Sequence, residues 1–119
     1  MRSLSACPTL LASVLLAACT GQPIGDPCIP ERVPPGGFVA AETYLETGSV
    51  DCETRLCMVR GLDGDPRRQC DDGTCPSETM VRDHVYCTAA CAADVECPDG
   101  FVCVDVGAGS FCARDLPPG

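Results

Sequence analysis

The chain has 119 residues and a formal net charge of −9, from 17 acidic and 8 basic residues, and 12 of its residues are cysteine. Aromatic residues make up only 4% of the chain and tryptophan is absent, so burial of large side chains alone cannot offset the entropy lost on folding, and covalent cross-links are needed. The acidic surface repels phosphate groups, which argues against a nucleic acid as partner.

Residues 1–18 are predicted to be a signal peptide. Arg2 and the terminal amine supply a short positive region, and residues 10–18 are apolar apart from Ser13. This run suits the apolar region of a signal peptide and is well short of the roughly 20 residues that cross a bilayer. We therefore expect a short N-terminal helix that directs export and is then removed.

Leu16-Ala17-Ala18-Cys19 has the form of a bacterial lipobox at the end of this run. An ordinary signal peptidase prefers small residues at positions −3 and −1, and Leu16 would occupy −3. A lipobox instead requires an aliphatic residue, two small residues and a cysteine whose thiol accepts diacylglycerol. We therefore predict lipid attachment at Cys19, which would anchor the protein to a membrane more firmly than a single acyl chain. Conventional secretion, with Cys19 free or bridged, is the alternative.

The number of cysteines agrees with lipid attachment. Cys7 is lost with the signal peptide and Cys19 is acylated, which leaves an even number for disulfides. We predict that these ten are the disulfide cysteines: Cys28, Cys52, Cys57, Cys70, Cys75, Cys87, Cys91, Cys97, Cys103 and Cys112.

Residues 19–37 are predicted to be a tether between the lipid and a folded module. The density of proline and glycine is incompatible with a helix or a long strand, and the segment is fixed to the module at Cys28. We interpret Pro34-Pro35 as a stiff spacer. The residue after the predicted lipidated cysteine is Thr20 and not an aspartate, which resembles the pattern of outer-membrane lipoproteins. We therefore expect an outer-membrane anchor, with the module in the periplasm or at the cell surface.

Residues 38–116 are predicted to be a small disulfide-rich module, mostly irregular with short β-hairpins. Residues 38–46 match neither a helical nor a strand pattern cleanly. Residues 49–60 are predicted to be extended, with one face formed by Val50, Cys52, Thr54 and Leu56. Because Cys52 and Cys57 are separated by an odd number of positions, their thiols point to opposite faces of a strand, and we predict separate partners for them.

Residues 61–77 are predicted to be a polar loop that contains a tight hairpin. Asp72-Gly73 is a strong two-residue turn, and it would place Cys70 opposite Cys75 within reach of a disulfide. We predict this bridge.

The C-terminal submodule, residues 86–114, holds five closely spaced cysteines and a predicted hairpin. Residues 101–106 alternate in hydrophobicity, and residues 107–109 turn the chain back into residues 110–113. A two-residue turn at Gly107-Ala108 would place Cys103 opposite Cys112, whereas a three-residue turn would not. The disulfide pairing in this submodule is left open.

Four stretches of the chain form an ordered set: residues 25–31, residues 52–57, Val85-Tyr86-Cys87, and residues 97–103, which read Cys-Pro-Asp-Gly-Phe-Val-Cys. This set resembles a group of small cysteine-rich lipoproteins of myxobacteria and their relatives over nearly the whole mature chain. The resemblance implies an envelope compartment and a disulfide-rich architecture. It implies no activity, because the group has none established.

No pattern in the sequence favours catalysis or a bound metal. No Cys-x-x-Cys motif occurs, and thiols in an exported protein are expected to oxidise. His84, the only histidine, is interpreted as a solvated or turn residue, and the acids near Asp63 and Asp71 as turn formers, because they miss the EF-hand spacing. Ser77 and Ser110 have no evident histidine partner. We therefore expect neither enzymatic activity nor a cofactor.

The sequence thus predicts a lipid-anchored cell-envelope protein whose disulfide-stapled module is structural or binds a protein or glycan ligand. A small secreted protease inhibitor or effector, with loops constrained by disulfides, is the alternative. A metal-binding or redox protein is a third and weaker one.

Overall fold

The computed structural model describes residues 23–68 and 75–116, which contain two antiparallel sheets and one short helix. The elements in chain order are β1 (Thr43–Thr47), β2 (Leu56–Arg60), α1 (Glu78–His84), β3 (Val85–Cys87), a 3₁₀ turn (Asp94–Glu96), β4 (Phe101–Asp105) and β5 (Ser110–Arg114). This confirms a small disulfide-rich fold with short antiparallel strands and little helix. The signal peptide, residues 1–18, lies outside the described residues.

The larger sheet has the order β1-β2-β3 and is antiparallel throughout. A turn joins β1 to β2, closed by a hydrogen bond from the Ser49 N–H to the Arg55 carbonyl oxygen at 3.0 Å. The prediction that residues 49–60 are extended throughout is therefore wrong, because the strand begins only at Leu56. Local hydrogen bonds explain the difference: Arg55 donates to the Cys52 carbonyl, and the Asp51 N–H donates to the Ser49 hydroxyl.

The central strand β2 contributes side chains to both of the hydrophobic cores found among the described residues. Cys57 and Val59 point to one face, where the core contains Cys28, Phe38, Cys52, Leu62, Val85 and Cys87. Met58 points to the other face and packs with Tyr86 and Ala113. The two-residue period of a strand thus places alternate residues of one short segment in two separate cores.

The second core is covered by the hairpin of β4 and β5. In its register Cys103 lies opposite Cys112, and the Val106 N–H donates to the Gly109 carbonyl oxygen at 2.9 Å. The connection is therefore a two-residue turn at Gly107 and Ala108. This settles the turn length that the sequence left open.

Much of the predicted tether packs against the module in the structure. The Gly25 N–H donates to the Cys87 carbonyl oxygen and the Cys87 N–H donates to that of Asp26, both at 2.8 Å, so this segment pairs with the outer edge of β3. Cys28 is 5% exposed, and Pro30 is also buried. The predicted tether, residues 19–37, therefore lies against the module over residues 25–30.

Pro34-Pro35, predicted to be a stiff spacer, lies in a turn closed by the Gly37 N–H and the Pro34 carbonyl oxygen. The turn brings Phe38 into a two-hydrogen-bond bridge with Gly64, and Phe38 is 4% exposed. The two prolines therefore direct the chain into the first core.

Helix α1 lies in the segment where the sequence analysis placed no helix. Ser77 caps it, because its hydroxyl oxygen accepts a hydrogen bond from the Met80 N–H at 3.1 Å. Glu78 in the first turn and Arg82 in the last suit the helix dipole. Within the described part of the chain, no helix is long and apolar enough to cross a membrane.

Gly37 and Gly36 allow a matched test of how the turn packs on the module. A Cβ at Gly37, where φ is +98°, would lie 2.6 Å from the Gly64 carbonyl carbon, whereas a Cβ at Gly36, where φ is +85°, meets nothing within 4 Å. We expect Gly36→Ala to lower the unfolding free energy by about 1–2 kcal/mol, from left-handed backbone strain alone. Gly37→Ala should lower it by clearly more or prevent oxidative folding. Denaturant unfolding of both variants measures this, and equal losses would contradict the packing described.

Candidate functional site

Disulfides are the dominant chemical feature of the described residues. Four are formed: Cys28–Cys57, Cys52–Cys87, Cys91–Cys103 and Cys97–Cys112. Cys75 is also disulfide-bonded. Cys70, and with it the predicted Cys70–Cys75 bridge, lies outside the described residues, as does the predicted lipid attachment residue Cys19.

The first two disulfides form an inner cluster beneath the larger sheet. Cys57 of β2 and Cys87 of β3 are direct neighbours in the strand register, yet each is bonded to a loop cysteine, Cys28 and Cys52 respectively. The Sγ atoms of Cys28, Cys52 and Cys87 all lie within 4.8 Å of one another. Cys52 and Cys57 therefore have separate partners, as predicted, although Cys52 precedes β2 and both lie in the first core, not on opposite faces of one strand.

The other two disulfides form an outer cluster on the C-terminal hairpin, with the same plan. Cys103 of β4 and Cys112 of β5 are register neighbours, and each is bonded to a cysteine of the preceding loop, Cys91 and Cys97 respectively. The Sγ atoms of Cys91, Cys97 and Cys112 lie within 4.8 Å of one another. The shared arrangement could not be found from the sequence, because it depends on the register of β2 with β3 and of β4 with β5.

In both clusters the opposed cysteines occupy a non-hydrogen-bonded position of their ladder. The Cys103 N–H donates to Asp94 Oδ1 at 2.8 Å and the Cys112 N–H donates to the Ala89 carbonyl oxygen at 3.0 Å, so both point out of the hairpin. In the larger sheet the Cys87 N–H points away to Asp26. Side chains approach closely at such positions, with Cα atoms about 4.5 Å apart, the lower end of the range for a disulfide. The bonds to the loops have Cα separations of 5.5–6.0 Å.

The polar residues that sequence analysis weighed for catalysis have structural hydrogen bonds. His84 ends α1, and its Nδ1 lies 2.8 Å from the Arg60 carbonyl oxygen at the end of β2. The Ser77 hydroxyl is engaged as the helix cap. The interpretation of His84 as a solvated or turn residue thus needs amendment: it is half-buried and joins the helix to the sheet.

Two acids considered for calcium hold loops together. Asp63 Oδ1 accepts a hydrogen bond from the Ala40 N–H at 2.9 Å, which ties the loop after β2 to the segment before β1. Asp65 forms an ion pair with Arg67, with 3.1 Å between Oδ1 and Nε. The hydrogen bond from Arg67 lowers the pKa of the Asp65 carboxyl group. The acids at residues 71 and 72 lie outside the described residues.

Arg114 has a role that the sequence analysis missed. Its guanidinium carbon lies 4.8 Å from the ring centre of Phe101 and 5.1 Å from that of Tyr86, and its Nη2 donates to the Gly25 carbonyl oxygen at 3.3 Å. The Arg114 N–H also donates to the Tyr86 hydroxyl oxygen at 2.8 Å. One side chain therefore connects the C-terminal strand, the larger sheet and the segment that leads to the N-terminus.

Two shallow hollows lie on the described surface. One of about 470 Å³ lies between the turn at residues 34–37 and the loop at residues 64–68, beside Arg67 and Arg68. The other, of about 200 Å³, lies beside Tyr44 and Glu46 of β1. The Phe38 ring contacts Tyr44 edge to face at 4.6 Å and forms part of its wall.

Comparisons with protein families, with curated proteins and with solved structures found no match to this chain.

Removal of the hydroxyl group is expected to lower the unfolding free energy at Tyr86 and to leave it almost unchanged at Tyr44. Tyr86→Phe leaves the buried Arg114 N–H without its acceptor and should lower the unfolding free energy by about 1–3 kcal/mol. Tyr44→Phe removes a hydroxyl that donates to Glu42 at the surface, and should change the unfolding free energy by less than about 0.5 kcal/mol. Denaturant unfolding of both variants tests this, and a larger loss for Tyr44→Phe would contradict it.

The burial of Tyr86 leads us to expect a loss of stability at alkaline pH. Burial raises the pKa of Tyr86 above its ordinary value of 10.0. Because the folded state holds the phenol neutral, its contribution is complete below the ordinary pKa and is lost as the pH rises through the raised one. The hydrogen bond to Glu42 raises the pKa of Tyr44 as well. In a pH titration, the absorbance of phenolate should therefore rise at a higher pH than for an exposed tyrosine, for both residues. Tyr86→Phe should remove the part of this absorbance rise that coincides with unfolding.

Proposed function

We propose that this protein is a non-enzymatic lipoprotein of the bacterial cell envelope, in which lipid on Cys19 holds a disulfide-stapled module close to a membrane. The observation that carries the proposal is that every described cysteine is disulfide-bonded. Such a module matures in an oxidising compartment, and disulfides are rare in the reducing cytosol. Export followed by lipid attachment is the route that residues 1–19 predict.

The pairing of the cysteines supports lipid attachment over simple secretion. Eight of the ten cysteines after Cys19 bond to one another within the described residues, and Cys75 is bonded as well. A secreted form that kept Cys19 would have an odd number of cysteines and a leftover thiol. Lipid attachment uses Cys19 and leaves an even number.

The packing of Gly25 on β3 limits how far the module can stand from the lipid. Among the residues that the structure describes, Gly25 is the first whose backbone hydrogen-bonds to the sheet, and residues 20–24 separate it from Cys19. Even a fully extended chain spans at most about 3.6 Å per residue, so the link is about 20 Å or shorter. The module of the proposed protein therefore lies close to the membrane surface, within about 20 Å of the lipidated residue, and not at the end of a long stalk.

The proposed function of the module itself is to bind a ligand. The hollow is lined by Arg67 and Arg68, and both side chains are exposed. Arg67 already forms an ion pair with Asp65, so Arg68 is the side chain that would recognise an acidic group of a protein or glycan. A purely structural role in the envelope is the other form of the same proposal.

Catalysis is not part of the proposal, because the residues that could carry it have other uses. His84 is bonded to the backbone of β2 and Ser77 caps α1. The two residues lie at opposite ends of α1, about 10 Å apart along the helix axis, so the serine hydroxyl is out of hydrogen-bond reach of the imidazole.

A secreted protease inhibitor or effector is the second candidate, and one loop favours it. Residues 92–96 are all exposed, Val95 is 89% exposed, and the loop is held at both ends by Cys91 and Cys97. This loop contains a 3₁₀ turn, whereas peptide recognition by addition to a sheet uses an extended strand. Lipid attachment separates the two candidates, since a freely secreted inhibitor carries none.

Fatty-acid labelling of cells that express the protein tests the anchor. We expect labelled fatty acid on the wild type, partition into the detergent phase, and an intact mass that shows lipid on Cys19. Reduction should then add ten hydrogens, two for each of five disulfides. Cys19→Ser should lose the label and leave the membrane fraction.

Cys7→Ser is the matched control for this test. Cys7 lies in the predicted signal peptide, so its replacement should change neither the label nor the mature mass. Label that persists in Cys19→Ser, or that is lost equally in Cys7→Ser, would refute the lipobox.

A further inference from the structure

The inner and outer cysteine clusters share one geometry but differ in their access to solvent. In the inner cluster Cys28 is 5% exposed, Cys52 is 1% exposed, and Cys57 and Cys87 are fully buried. In the outer cluster only Cys112 is buried, at 1% exposure, while Cys91, Cys97 and Cys103 are half-buried. The same arrangement of four sulfur atoms is thus closed to solvent in one place and open in the other.

The loop beside the outer cluster extends this difference. Residues 92–96, which connect Cys91 to Cys97, are all exposed. A thiol can therefore approach from the solvent side without displacing a core residue. Near the inner cluster, Val59, Leu62 and Val85 are at most 2% exposed and pack against the disulfides.

We propose that Cys91, Cys97, Cys103 and Cys112 form a thiol–disulfide exchange site that accepts an external thiolate, while the inner four cysteines form a staple that does not exchange. The proximity of the sulfur atoms makes exchange within the cluster possible. Cys91, Cys97 and Cys112 have mutual Sγ distances within 4.8 Å, and Cys103 lies directly across the hairpin from Cys112.

The exchange balances without a net oxidant or reductant. An external thiolate attacks Cys91 Sγ, forms a mixed disulfide and releases the Cys103 thiolate. That thiolate attacks Cys112 Sγ across the hairpin, which forms Cys103–Cys112 and releases the Cys97 thiolate. Cys97 then attacks Cys91 Sγ, forms Cys91–Cys97 and returns the external thiolate. Two disulfides are present before and after, and the thiol is regenerated.

The rearranged pairing would change the shape of the loop at residues 92–96. In the structure this loop is tied to the hairpin, because Asp94 Oδ1 accepts from the Cys103 N–H and the Cys91 N–H donates to the Ser110 carbonyl oxygen at 3.0 Å. With Cys91 bonded to Cys97 the loop becomes a small ring that no disulfide joins to the strands. The observed pairing is the favoured one, because a bridge between Cys103 and Cys112 requires the shortest Cα separation a disulfide tolerates.

The experiment uses the exported protein and two thiols as probes, reduced glutathione and reduced thioredoxin, so that a small thiol and a protein dithiol are compared. After timed exposure, free thiols are blocked with N-ethylmaleimide and the disulfides are mapped by mass spectrometry. Cleavage after Glu96 and before Asp99 and Asp105 places the four outer cysteines on separate peptides. The peptide with Cys75 is scored separately.

We expect glutathione adducts and blocked thiols at the outer cysteines at least about tenfold faster than at the inner ones, because local opening is less costly than opening of a core. Linked peptides for Cys103–Cys112 and Cys91–Cys97 should appear under substoichiometric glutathione. Faster reaction with thioredoxin than with glutathione would identify a protein dithiol as the better donor, and the reverse would identify a small thiol; either result supports the site.

Two results would overturn the proposal: equal rates at the two clusters, or outer reduction that yields only the original pairs. A double variant, Cys97→Ala with Cys112→Ala, adds a check. It keeps the entry point at Cys91 but removes the acceptor of the Cys103 thiolate, so the glutathione adduct should accumulate. The wild-type map decides the question even where this variant fails to fold. None of these readouts depends on lipid attachment at Cys19.

Discussion

The fold depends on the alternation of side chains along β2, because this strand of five residues supplies both cores. Cys57 and Val59 face the first core and Met58 faces the second. A slip of one residue in the register would exchange the two faces and move Cys57 away from Cys28, so the disulfide and the burial specify the same register. A chain with only 3 phenylalanines and 2 tyrosines has little other means to fix it.

The sequence was informative where the pattern is local. The C-terminal hairpin follows from a period of two and occurs in the structure. The opposite orientations predicted for Cys52 and Cys57 are wrong, because Cys52 precedes β2 and lies with Cys57 in the first core. Helix α1 was missed because its seven residues include no buried one, so it has no amphipathic pattern and only the Ser77 cap could have indicated it. The packing of Gly25 against Cys87 joins residues far apart in the chain, and a composition rich in proline and glycine suggests a spacer in either case.

The position of Arg114 gives this long-range packing a second function. A cation that is stacked on Phe101 and Tyr86 and bonded to Gly25 closes the N-terminal and C-terminal segments onto one sheet. Stacking of this kind stabilises most where water is excluded. Since residue 25 is only six positions from the proposed lipid, the same contact would hold the module close to the membrane and transmit any pull on the anchor directly to the second core.

The inner disulfides are expected to stabilise the fold more than the outer ones. The inner pair closes segments of 29 and 35 residues, whereas the outer pair closes 12 and 15. In the chain-entropy description these correspond to roughly 4 and roughly 3 kcal/mol per bond. Opening an outer bond therefore costs less and disturbs only the hairpin and its loop, while the central strand keeps its own staple. By the proposed exchange, the exposed loop at residues 92–96 can change its shape while the larger sheet is kept. This is because the outer cysteines exchange, whereas the inner cysteines stay buried beneath that sheet.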